Sequence, residues 1–176
     1  MKIIFCYTDV PNPRAAEAIR KYAPTAEWIR TVEHHTYAKE LTSRWDSGED
    51  LVVIEGDKEI TAEVIPSFEA CDEPWCVYEY WNFPEPYQQN TIYGLGCTKY
   101  SAEAQRQIPA EEIYRKHDGV LNRCPDCNND GCWRYMDTRI SFAILSRCIS
   151  FAPHVHGRVN HHHVYDDEWK RQRGLI

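Results

Sequence analysis

The sequence predicts an α/β fold: one domain with a mostly parallel central sheet flanked by helices. Two observations carry this. Residues 2–7 and Leu51-Val52-Val53-Ile54 are short continuous apolar runs, the pattern of strands buried on both faces. Segments of helical periodicity lie between such runs, giving the order βαβαβ. At 176 residues the chain fits one core and one domain, 1–176.

Each element has its own signal. After the first strand, Asn12 is placed to cap a helix and Pro13 suits its first position. Ala15, Ile19 and Tyr22 follow at helical spacing, and Pro24 ends the run. Ala26 to Val32 offers a second strand. Tyr37, Leu41 and Trp45 recur every four residues as a second helix, closed by Ser47-Gly48. Leu51–Ile54 is the third strand, and Thr61 is placed to cap a short helix carrying Val64, Ile65 and Phe68. Residues 71–100 are rich in proline and aromatics with little periodicity. Ile140, Ile144, Cys148 and Phe151 mark one face of a late helix and Phe142, Leu145 and Ile149 another, so that helix is expected to be largely buried. A Cys-rich loop, 123–133, precedes it, and a charged tail, 166–176, ends the chain.

Composition excludes several classes. The formal net charge is −7 with histidines neutral, which repels a phosphate backbone, so no broad nucleic-acid-binding face is expected. Lys170, Arg171 and Arg173 in the tail are too few to reverse this. No apolar run approaches the ~18 residues of a membrane-spanning helix. The N-terminus, one charge before a short apolar stretch, reads as a strand rather than a leader. With eight cysteines, no leader and Cys6 inside an apolar strand, the thiols are expected reduced and the protein cytoplasmic.

Four stretches could carry chemistry. In Leu51-Val52-Val53-Ile54-Glu55-Gly56-Asp57, two carboxylates emerge where a buried strand ends, and ligands bind outside the carboxyl ends of such strands. Paired oxygen ligands suit Mg²⁺ or Mn²⁺ held together with substrate phosphates; the alternative is a polar turn. Gly94-Leu95-Gly96 lets the backbone approach a ligand closely, or is a turn between strands. Asp137 is either the cap of the late helix or a base aimed at a site. Pro153-His154-Val155-His156 and His161-His162-His163 put five imidazoles within ten positions, enough for a metal or phosphate contact. In an extended segment His161 and His163 share a face.

The order of these pieces resembles the core of GT-A-type glycosyltransferases, and more closely short glycosyltransferase-like proteins of actinobacterial phages. The resemblance spans roughly residues 50–163 through "VVIEGD", "EPWC", "GLGCT" and "PHVH…HHH". It implies that Glu55 and Asp57 stand for the metal-binding DxD pair and that His163, or else His161, completes the metal site. It further implies that Gly94 and Gly96 lie near donor and acceptor, that Tyr7, Thr8 and Asp9 contact the nucleotide, and that Asp137 is the base of an inverting transfer. Trp75, Tyr78, Tyr80 and Trp81, by default core residues, would then offer flat faces for a sugar. Glu55 departs from the first Asp of the pair, and Met136 from the Glu that usually precedes the base. The implied partner is a nucleotide-sugar donor and the implied cofactor Mn²⁺ or Mg²⁺; acceptor and oligomeric state are not specified.

Outside that pattern, Cys124, Cys127 and Cys132 have C-x₂-C-x₄-C spacing. With His117 or Cys148 as fourth ligand they would form a structural Zn²⁺ site; otherwise they are free thiols. Two other functions compete: a metal-dependent phosphoester hydrolase, and a non-catalytic, zinc-stabilised binding protein that kept the fold.

Overall fold

Residues Lys2–Tyr7 (β1), Glu27–Arg30 (β2) and Leu51–Glu55 (β3) form the expected parallel strands, joined by helices Pro13–Tyr22 (α1) and Thr36–Thr42 (α2). The computed structural model describes residues 1–32, 36–45, 47–81, 90–114 and 136–162. The helix starts as the sequence implied: Pro13 opens α1, and the Asn12 side chain accepts from Arg14 N at 2.9 Å and Ala15 N at 3.4 Å. Thr61 does not cap its helix. Val64–Ala70 (α3) begins after Glu63 with no side-chain cap, and Thr61 contributes only its carbonyl, which accepts from Val64 N at 3.3 Å.

The remaining elements are Lys58–Glu59 (β4), Trp75–Trp81 (β5), Asn90–Thr91 (β6), Cys97–Tyr100 (β7), Ala102–Gln107 (α4), Ala110–Tyr114 (α5), Met136–Ser146 (α6), His154–Arg158 (β8) and Asn160–His161 (β9). The main sheet has seven strands in the order β2-β1-β3-β7-β5-β6, with β8 also paired to β5. β1 pairs in parallel with β2 and β3, and β5 with β8; β7 runs antiparallel between β3 and β5, so the sheet is mixed. β4 and β9 form a separate two-stranded antiparallel pair with Lys58 opposite His161.

Strand alternation divides the core into two layers. Ile4, Cys6, Leu51 and Val53 face α2, α5 and α6, packing with Tyr37, Leu41, Ile113, Ile140 and Ile144. Ile3, Phe5, Val52 and Ile54 face α1 and α3, packing with Ala15, Ile19, Val64 and Phe68. Helices therefore cover both faces, which is why the strands read as unbroken apolar runs.

α6 differs from expectation. Only one side meets the sheet, through Met136, Ile140, Ala143 and Ile144, whereas Phe142 and Leu145 are 63% and 39% exposed. The helix ends at Ser146, before Cys148, whose φ of 55° cannot continue it. Cys148 and the exposed Phe151 thus lie beyond the helix they were expected to face. Trp75, Tyr78 and Tyr80 are core residues rather than sugar-binding faces, and Arg158 covers the half-buried Trp81 ring at 4.1 Å.

Candidate functional site

The parallel strands β1 and β3 end side by side at Tyr7 and Glu55. The turn after β3 folds over the end of β1: Gly56 N donates to Cys6 O at 2.7 Å, and Asn12 N to Gly56 O at 2.8 Å. A Cβ on Gly56 would lie 2.6 Å from Tyr7 Cβ and 3.1 Å from Tyr7 Cα, so this approach requires glycine. Glu55 and Asp57 thereby leave the sheet at one place.

Asp57 and His161 meet there. Asp57 Oδ2 lies 2.9 Å from His161 Nε2, and His161 Nδ1 lies 2.6 Å from Trp81 O. Both ring nitrogens therefore face oxygens, one of a carboxylate and one of a backbone carbonyl. The β4–β9 pairing brings the histidine in, and His162 N donates to Asp57 O at 2.8 Å. His162 also reaches a carboxylate, with Nε2 at 2.6 Å from Glu59 Oε2. His163 lies outside the described residues.

Lys58 completes the cluster, and the sequence reading passed over it. Its ammonium donates to Asp57 Oδ1 and, at 3.4 Å, to Glu55 Oε2, while sitting 4.3 Å from the centroid of the Tyr80 ring. The residue is only 1% exposed. Buried lysines are rare unless paired, and the available signal was a lysine set directly among Glu55, Asp57 and Glu59. Tyr37, on α2, donates to Glu55 Oε1 at 3.4 Å; helical spacing marked it only as core.

The charges are unequal in effect. Burial pushes the Glu55 carboxyl up; Lys58 opposes this, and the Asp57 and Asp137 charges add to it. Burial also acts upward on Asp57, but the His161 hydrogen bond and the Lys58 charge outweigh it and hold that carboxyl well below the usual range. Asp137, in the first turn of α6, is pushed up by burial although its carboxylate accepts from Thr138 N at 2.7 Å. It is close enough for its charge to act on Glu55, Tyr80 and Tyr100. Asp137 therefore holds its own first turn and also shares the field of the cluster.

The glycine loop borders the same place. Gly96 O accepts from Glu55 N at 2.8 Å, and the space a Gly96 side chain would need is taken by Tyr80 and by Lys58 Cε, 2.6 Å away. Gly94 is similarly pressed against the Tyr80 hydroxyl. Thr8 and Asp9, beyond Tyr7, are exposed, and Asp9 Oδ1 pairs with Arg30 Nη2 at 3.0 Å. Cys148 is exposed in the turn after α6. Cys124, Cys127, Cys132 and His117, the other candidates for a zinc site, lie outside the described residues.

The fold and cluster define an α/β protein with a carboxylate–lysine–histidine group at the ends of parallel strands. No family model matches the chain, and no curated protein does. Among solved structures, it is similar to a glycosyltransferase involved in the glycosylation of the major capsid of PBCV-1, with TM-score 0.49 and 12% identity over 89% of this chain and 82% of that one. It is also similar to A197 from STIV, with TM-score 0.43 and 11% identity over 80% of this chain and 78% of that one. At such identities neither likeness extends to chemistry. No helix among the described residues is long and apolar enough to cross a membrane.

Proposed function

We propose that this chain transfers a sugar from a nucleotide-diphosphate sugar to an acceptor hydroxyl, with Mn²⁺ or Mg²⁺ held by Glu55 and Asp57. The observation that carries the reading is the convergence of Glu55, Asp57 and His161 where β1 and β3 end. Two carboxylates beside an imidazole suit a hard divalent cation. Glu55 and Asp57 already turn oxygens toward one positive charge, the Lys58 ammonium, and a divalent cation would take that place by displacing it. Charge argues the same way. Glu55, Asp57 and Asp137 together oppose a diphosphate, and Lys58 offsets only part of that repulsion.

When bound, the cation supplies neutralisation of the charge that develops on the leaving diphosphate. The chain's own groups do the rest. His161 orients Asp57, and Tyr37 orients Glu55. Tyr7, Thr8, Asp9, Gly94 and Gly96 are proposed to border the donor, His163 to join His161 in the metal site, and Asp137 to act as base. In an inverting transfer the acceptor oxygen bonds to the anomeric carbon as the bond to the diphosphate breaks. The diphosphate keeps the electron pair, and Asp137 takes the hydroxyl proton. Burial, by raising the proton affinity of Asp137, suits it to that step.

Lys58 also favours a second reading. Because its ammonium already bridges both carboxylates, the cluster is closed without a metal, as in a non-catalytic binding protein. Thermal unfolding with a panel of UDP- and GDP-sugars, with and without Mn²⁺, separates the two. Metal-dependent stabilisation by one nucleotide, lost in Asp57→Ala together with donor turnover, is expected for the transferase. Stabilisation by none of the donors rejects it, and metal-independent stabilisation without turnover supports the binding protein.

A further inference from the structure

A second group of potential ligands lies elsewhere, at the junction of α3, β5 and β8. Cys71 follows the last turn of α3 and Cys76 is the second residue of β5. Across the parallel β5–β8 pairing, Cys76 stands opposite His154. Alternation along a strand puts His154 and His156 on one side. The register then passes from Val77 opposite Val155 to Tyr78 opposite Gly157, leaving His156 as the extra residue of a bulge. Bulges of this kind re-aim a side chain.

One ligand atom from each of Cys71, Cys76, His154 and His156 lies within 4.8 Å of all the others. The two sulfurs are 2.8 Å apart, and Cys71 Sγ is 3.2 Å from His154 Nδ1. Cys71 is only 8% exposed and Cys76 is fully buried. His156 Nε2 is buried with no hydrogen-bond partner among the described residues. Its ring is held by stacking on Tyr78 and by the edge of Phe68, each centroid 5.7 Å away. A buried, unpartnered imidazole nitrogen beside two thiols is an unfavourable arrangement in a closed core. Coordination to a cation removes the cost.

We infer that Cys71, Cys76, His154 and His156 bind a structural zinc ion in a tetrahedral S₂N₂ site. Two thiolates and two imidazoles are a complete set for that metal, with no position left open for substrate. The site uses no residue of the Cys-rich segment 123–133 and none of the carboxylate cluster. It ties β8, whose residues are mostly exposed, to β5 inside the sheet. β9 follows immediately, so the zinc anchors the segment that delivers His161 to Asp57.

Elemental analysis of protein made without a histidine tag and purified in reductant tests this. The parent is expected to retain zinc, the Cys71→Ser/Cys76→Ser variant to hold one ion fewer per chain, and Cys124→Ser to keep the ion assigned here. His154→Ala, on an exposed position, guards against misfolding of the double variant. It should weaken zinc binding by more than the ~10–100-fold that outer partners of a ligand account for. The cobalt-loaded parent should show thiolate charge-transfer bands that the double variant loses and that His154→Ala reaches only at higher cobalt concentration. A zinc content unchanged in both variants overturns the inference. So does a parent that holds no zinc after reconstitution, or peptide mapping that finds Cys71 and Cys76 joined by a disulfide in reductant. No nucleotide sugar enters these measurements, so their failure and that of the transferase reading are distinguishable.

Discussion

Asp57 Oδ2 and His161 Nε2, 104 residues apart in the chain, stand 2.9 Å from each other. The contact closes the structure where β1 and β3 end, and the cluster's stability and its proposed chemistry both turn on it.

It makes stability depend on pH. Asp57 is held below its ordinary range in the folded protein, so the unfolded chain binds its proton more readily. The stabilisation is fully present above the unfolded value, about 4, and is lost as pH falls toward the lower folded one. Melting temperature should decline with acidification below about pH 4–5 in the parent, and less steeply in Asp57→Asn. Parallel curves for the two proteins would show that the contact is not felt.

Lys58 is nearly inaccessible and bridges two carboxylates. Lys58→Met leaves those charges facing each other and should cost about 3–5 kcal/mol, as breaking buried pairs does. Mn²⁺ should restore more of the melting temperature in the variant than it adds to the parent. Equal shifts would count against a cation shared between lysine and metal.

The Gly56 turn lies against the Tyr7 backbone and Cβ, which have little room to yield. Gly56→Ala should destabilise by about 1–3 kcal/mol, at roughly 2–4 °C per kcal/mol for a chain of this size. Gly48→Ala is the informative control. Nothing surrounds that Cβ, but its φ of +81° strains any other residue, so its effect measures backbone conformation without crowding.

Asp137→Asn keeps an oxygen to accept from Thr138 N and should leave melting and donor binding near parent values. Sugar transfer should fall by about 10²–10⁴, the range for removing a general base. A variant that retains parent turnover would remove Asp137 from the reaction.

The βαβαβ half was legible because strands buried on both faces must be apolar throughout, as Ile3–Cys6 and Leu51–Ile54 are. β7 was hidden. Cys97-Thr98-Lys99-Tyr100 carries polar residues at buried positions, and only the fold reveals their partners: Thr98 Oγ1 donates to Cys76 O, and Lys99 Nζ to Phe68 O and Cys71 O. α6 misled for the opposite reason, since apolar residues at Phe142 and Leu145 do not guarantee a neighbour. At the site, Glu55, Asp57 and His161 were nameable from residue type and position. Lys58 was not, because a lysine turns inward only when partners exist, and these are set by the β4–β9 pairing. Cys76 and His154-Val155-His156 fell in separate fragments, and Cys71 in none of them. Their common signal, a Cys pair with His-x-His on a strand, is assembled only by the β5–β8 register.

The β4–β9 pairing also bears on the order of assembly. During synthesis the first three strands emerge and can pack early, while the histidine that meets Asp57 arrives 104 residues after it. A nascent or prematurely terminated chain ending before Asn160 therefore carries Glu55 and Asp57 with Lys58 but without that imidazole. The final contact is long-range and costly in loop entropy. It should be a late event in folding, so a stalled or clipped product would keep its sheet while lacking the completed cluster.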